Sequence, residues 1–122
     1  MNILGRLSVF PRIPDPLSRL NELAYNLWWS WNADAQALFA DIDPDLWERV
    51  GHNPVKFLRE ASQTKLDAAA SNATYLARLN QILARFDDYM HPSETWFTSN
   101  FPDESDQVIA YFSAEFGLHE AL

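Results

Sequence analysis

Asp43-Pro44 and Asn53-Pro54, each followed by apolar residues at spacings of three and four, constrain this chain more than any other feature. An Asp or Asn side chain accepts hydrogen bonds from the free N–H groups of a helix's first turn. A proline one position further on has no N–H to leave unsatisfied. The same dipeptide recurs as Asp15-Pro16. The chain therefore reads as a series of short helices, each restarted by its own cap.

Prolines at 11, 14 and 16 make residues 1–16 an extended lead-in. Leu17, Leu20, Leu23, Ala24, Leu27, Trp28 and Trp31 then fall on one stripe. This predicts a continuous helix of about fifteen residues from which Trp29 points away, needing a second contact or partial exposure. Asn32 is a candidate cap for a helix carrying Ala35, Leu38, Phe39 and Ile42. Leu46, Trp47 and Val50 follow Asp43-Pro44, with Gly51 as the stop, while Phe57, Leu58 and Ala61 follow Asn53-Pro54. Ser62 can cap a turn or two containing Leu66 and Ala69. A longer helix is expected after Asn72 or Ala73, because Tyr75, Leu76, Leu79, Ile82, Leu83, Phe86, Tyr89 and Met90 hold the helical period until Pro92. Five or six helices are expected up to residue 91.

The predicted fold class is mainly α: a small multi-helix bundle over residues 17–91, a linker over 92–107, and the first strand of an incomplete α/β domain over 108–122. Val108-Ile109-Ala110-Tyr111-Phe112 is a short apolar run bounded by Asp106-Gln107 and Ser113. It fits a strand buried on both faces, which needs neighbouring strands and covering layers. The expectation is the front of a longer protein. The core is aromatic: five Trp, eight Phe and four Tyr in 122 residues supply large rigid units for one small interior.

Seventeen acidic against nine basic residues give a net charge of −8, which disfavours a phosphate backbone or an anionic membrane as partner. The chain has no cysteine, so disulfides, thiolate nucleophiles and cysteine-ligated metal sites are excluded. No apolar run approaches the roughly twenty residues of a membrane span, and the opening residues lack the pattern of a signal peptide. A cytoplasmic location is the expectation.

Few residues carry a chemical signal. His52, His91 and His119 are too dispersed for a metal cluster. Asp41, Asp43 and Asp45 lack the glycine and bidentate carboxylate of a calcium loop, and two of them fit helix ends better. Gly51 and Gly117 make no phosphate-cradling loop. Trp28, Trp29, Trp31 and Trp47 are candidates for core packing or for docking another domain, with stacking on sugar rings as the alternative. Glu115 and Glu120 form a carboxylate pair whose use depends on the fold. Ser113, Glu115, Gly117 and His119 follow the carboxyl end of the expected strand, where open α/β sheets place ligands. They are the candidate edge of a substrate site.

At these residues the sequence resembles the amino-terminal part of a bacterial or archaeal α-1,4-glucan phosphorylase with an added helical leader. Leu20-Asn21-Glu22-Leu23-Ala24-Tyr25-Asn26-Leu27-Trp28-Trp29-Ser30-Trp31-Asn32 and Leu46-Trp47-Glu48-Arg49-Val50-Gly51-His52-Asn53-Pro54 resemble the leader. Ile109-Ala110-Tyr111-Phe112-Ser113-Ala114-Glu115-Phe116-Gly117-Leu118-His119-Glu120 resembles the entry to the catalytic domain. The resemblance implies a full-length enzyme that uses pyridoxal phosphate and inorganic phosphate to release glucose 1-phosphate from α-1,4-glucans. Its cofactor lysine lies in a distant carboxyl-terminal domain, and Lys56 and Lys65 do not match it. The chain is thus expected to bind no cofactor itself. Its expected partners are the remainder of the catalytic polypeptide and, in the full-length enzyme, α-1,4-glucan and phosphate. A homo-oligomer is possible in that setting.

Overall fold

Asp43 and Asn53 cap as their dipeptides predict. The Asp43 carboxylate accepts from the Leu46 N–H at 3.1 Å and the Asn53 carboxamide oxygen from the Lys56 N–H at 3.0 Å. In the computed structural model, which describes residues 9–104, 107, 110 and 112, they open α3 (Pro44–Arg49) and α4 (Pro54–Glu60). Before them lie α1 (Leu20–Ala24) and α2 (Ala33–Ile42). After them come α5 (Gln63–Ala70), capped by Ser62, and α6 (Ala73–Met90), capped by Asn72. A short α7 (Trp96–Asn100) follows inside the segment expected as linker, opened by a reciprocal Thr95–Thr98 capping box. Gly51 ends α3 at φ +63°, a backbone state glycine enters without steric cost, and His52 continues it at +58°. Among the described residues the chain is helical with no strand, in line with a small helical bundle. Most of the expected strand, including Val108, Ile109 and Tyr111, lies outside the described residues.

The continuous helix expected from Leu17 to Trp31 is broken. It divides into a 3-10 turn at Asp15–Leu17, α1, and a second 3-10 turn at Leu27–Trp31. The cause is Asn26, whose backbone is extended (φ −114°, ψ 121°) and whose side chain accepts from the Trp28 N–H, restarting the helix there. The restart rotates the tryptophans away from the expected stripe: Trp29 is buried at 3% exposure, whereas Trp31 is 61% exposed. Two caps also differ from expectation. Asp15 makes no capping bond, being drawn into its own turn and facing Arg12 at 3.7 Å. Asn32 precedes α2 as expected, but its side-chain nitrogen donates backward to the Trp28 carbonyl at 2.7 Å.

One apolar cluster runs from Leu17 to Phe86 and draws on every helix from α1 to α6. α6 is its spine, with Tyr75, Leu79, Ile82, Leu83 and Phe86 turned inward. Its pairing with α2 is antiparallel, and charge marks the register. Asp34 near the start of α2 pairs with Arg85 at 2.9 Å, and seven residues on in α2, Asp41 pairs with Arg78, seven residues back in α6. Between the two helices the buried Tyr75 hydroxyl donates to the Leu38 carbonyl at 2.9 Å. Burial raises that hydroxyl's pKa above the usual tyrosine range, so it remains a donor.

One side chain ties the lead-in to α5. The Gln63 carboxamide accepts from the Arg12 N–H and donates to the Arg12 carbonyl, both at 2.9 Å, as a neighbouring strand would. This fixes residues 9–14 across α4 and α5.

Candidate docking face

Asn26 joins two elements: besides its cap to Trp28, its side-chain nitrogen contacts the Met90 sulfur at 3.4 Å, where α6 ends. The Leu27–Trp31 turn is locked further by Ser30 donating to the Leu27 carbonyl at 2.8 Å and Gln36 donating to the Ser30 carbonyl at 2.8 Å. This rigid turn sets Trp28 inside, 5.4 Å from the Phe86 ring, and Trp31 outside, edge-on to Tyr89 at 6.4 Å. Tyr89 also meets Trp28 at 6.5 Å. Trp31, Tyr89 and Met90 together form an exposed aromatic corner at the carboxyl end of α6. A rigid aromatic group left in water at such a point suits contact with another surface.

Charge braces the same end of α6. Arg19 donates to both Asp87 oxygens, at 2.9 and 2.6 Å, and to Glu22 at 2.9 Å. Bonds to the two carboxylates raise the guanidinium's pKa, and the Arg19 bond holds the Asp87 carboxyl below the usual carboxylate range.

The four candidate tryptophans thus have separate fates. Trp28 and Trp29 are buried. Trp47 stacks on Phe39 at 5.4 Å and 12° and on His52 at 5.2 Å and 22°, and Trp29 and Phe57 meet it edge-on. His52 is held over the indole by Glu48, whose carboxylate lies 2.9 Å from Nε2. Trp31 alone of the four presents an open ring. Ser113, Glu115, Gly117 and His119 lie outside the described residues. Sequence reasoning placed Tyr89 on the helix stripe and gave it no site role; the signal available was its position in the last turn before Pro92, where the stripe outruns the core.

The carboxylates of the Asp41-Asp43-Asp45 segment are dispersed by the fold. Asp41 pairs with Arg78, while Asp43 both caps α3 and accepts from Lys65 at 2.7 Å. The Lys65 contact lowers the Asp43 pKa, with the Leu46 N–H adding to it. Among the described residues no group of three His, Asp or Glu is placed to hold a metal ion. Lys65 is engaged with Asp43, and Lys56 lies on the exposed side of α4. No helix among the described residues is long and apolar enough to cross a membrane.

A family described as "Protein of unknown function (DUF3417)" matches residues 13–122. The whole chain is 38% identical to a glycogen phosphorylase of Mycobacterium tuberculosis, of which it covers 15%. Over 91% of its length it is 35% identical to a maltodextrin phosphorylase of Thermococcus litoralis, covering 13% of that protein. Over 83% of its length it is 34% identical to a glycogen phosphorylase of Aquifex aeolicus, covering 14%. The chain therefore spans about a seventh of the length of these curated relatives. No solved structure matches it.

Proposed function

The chain belongs to the DUF3417 family, and we propose that it is the amino-terminal helical module of an α-1,4-glucan phosphorylase, packed against the catalytic body. The observation that carries the proposal is homology to glycogen and maltodextrin phosphorylases across the length of the chain, over a small part of each relative. The reaction is phosphorolysis: inorganic phosphate takes the terminal glucosyl unit, giving glucose 1-phosphate and a glucan one residue shorter. Pyridoxal phosphate belongs, in this reading, to the full-length enzyme. Ser113, Glu115, Gly117 and His119 would border its substrate site.

Within the module, the side chains that hold charge in place serve architecture. Asp34, Asp41, Asp43 and Asp87 are committed to cationic partners, and Tyr75 to a backbone carbonyl. The aromatic corner of Trp31, Tyr89 and Met90 is the surface this reading assigns to the catalytic body, because it sits where α6 hands the chain on. A glucan-stacking role for the tryptophans, the alternative reading, rests on Trp31, the one with a free face. The test compares the longest gene product containing this sequence with the 122-residue chain, each given maltoheptaose and inorganic phosphate. Glucose 1-phosphate is expected from the first alone. Turnover by the short chain would overturn the non-catalytic role.

A further inference from the structure

A second surface, on the face between the lead-in and α4, carries uncommitted polar groups around an apolar floor. Phe10, Pro11, Ile13, Asn21, Tyr25, Val55, Leu58 and Arg59 line a groove of about 240 Å³. Leu58 is buried and Ile13 and Val55 half-buried, giving the floor, while the exposed Tyr25 forms one wall. The Arg59 guanidinium lies over the Phe10 ring at 5.0 Å and forms the other. Among the described residues the Asn21 carboxamide, the Tyr25 hydroxyl and the Arg59 guanidinium have no hydrogen-bond or ion-pair partner, although other arginines, including Arg19, Arg78 and Arg85, are paired.

We propose that this groove binds one pyranose unit of a neutral α-glucan. An apolar floor with one aromatic wall matches the C–H face of a hexose, and the planar guanidinium of the other wall and a carboxamide match pairs of neighbouring hydroxyls. A simple inorganic anion would use Arg59 but gain nothing from the floor, so the surroundings select a ligand that is apolar on one face and hydroxylated at its rim. The volume lies below the roughly 300–1,000 Å³ of a drug-sized pocket, which suits a single ring with the rest of the glucan in solvent. The lead-in is part of the site, since the two Gln63–Arg12 hydrogen bonds fix the segment that carries Phe10. Choosing an α-1,4-glucan as ligand rests on the phosphorylase reading, whereas the groove's preference for a pyranose rests on its own chemistry.

The experiment is an amide-resolved NMR titration of the 122-residue chain with maltotriose, repeated with inorganic phosphate and with cellotriose. Saturating shifts around Asn21, Tyr25 and Arg59 with maltotriose are expected, weakened about tenfold or more in Tyr25→Ala and in Arg59→Ala while peak dispersion is retained; tenfold corresponds to about 1.4 kcal/mol. Gln63→Ala should weaken binding as well, by releasing the lead-in. Absence of saturating shifts overturns the proposal, as do shifts confined to Trp31 and Tyr89 or shifts reproduced by phosphate alone. Binding of cellotriose but not maltotriose keeps the pyranose site and removes its link to the phosphorylase reading, so the two failures are distinguishable.

Discussion

Arg19 and Asp87, 68 residues apart, form a two-point pair in which both terminal nitrogens of one guanidinium meet both oxygens of one carboxylate, at 2.9 and 2.6 Å. The pair ties the approach to α1 onto the last turns of α6, beside the aromatic corner. Half-exposed pairs of this kind contribute little to global stability, so their effect is local. Arg19→Ala should speed amide hydrogen exchange across Leu20–Ala24 and at the carboxyl end of α6, leaving the thermal midpoint nearly unchanged. Equal exchange in the two proteins would contradict this.

Asp43 joins a cap to a buried-edge ion pair, so its loss should be larger. Asp43→Ala should destabilise the chain at pH 7 by about 1–2 kcal/mol in urea unfolding, the range for losing a helix cap. Asp43→Asn, which keeps the cap acceptor, should lose less.

The pH dependence follows from the same side chain. Because the Asp43 carboxyl is lowered in the folded chain, its contribution is present above the unfolded-chain value of about 3.9 and is lost as pH falls through the lower folded value. Asp87 is lowered too and acts in the same sense. Unfolding free energy should therefore fall with acidification below about pH 4, and less steeply in Asp43→Asn. Parallel slopes for the two proteins would contradict the assignment.

The tryptophans should separate cleanly. Trp47 is buried and stacks on Phe39 and His52, so Trp47→Ala should cost about 3–5 kcal/mol. Trp31→Ala in the isolated chain should stay within about 0.5 kcal/mol, since its ring faces water. Urea unfolding of the two variants checks both.

Gly51 offers a test of backbone strain without packing. An added Cβ would meet nothing within 4 Å, yet φ is +63°, so Gly51→Ala should cost about 1–2 kcal/mol through conformation alone. A neutral substitution would mean that the turn after α3 relaxes to another conformation.

Much of this fold was legible because its signals are local. Asp43-Pro44, Asn53-Pro54, Ser62 and Asn72 each decide a helix start within a few residues, and the period of α6 is long enough to stand without its neighbours. The break at Asn26 was hidden because the apolar spacing runs straight through it. An asparagine among helical leucines was the signal, as its side chain competes for the backbone N–H two residues on. That single break exchanged the fates of Trp29 and Trp31. The Arg19–Asp87, Arg85–Asp34 and Gln63–Arg12 contacts join residues 51 to 68 positions apart, and the groove beneath Arg59 exists only once the lead-in is laid across α4. No local pattern announces such meetings; they follow from packing.

The most direct test of the central claim is glucose 1-phosphate formation by the longest gene product containing this sequence, supplied with maltoheptaose, inorganic phosphate and pyridoxal phosphate. The account predicts steady phosphorolysis, abolished or sharply reduced when Trp31 and Tyr89 are both replaced by aspartate. No glucose 1-phosphate from the unsubstituted, folded gene product would contradict it.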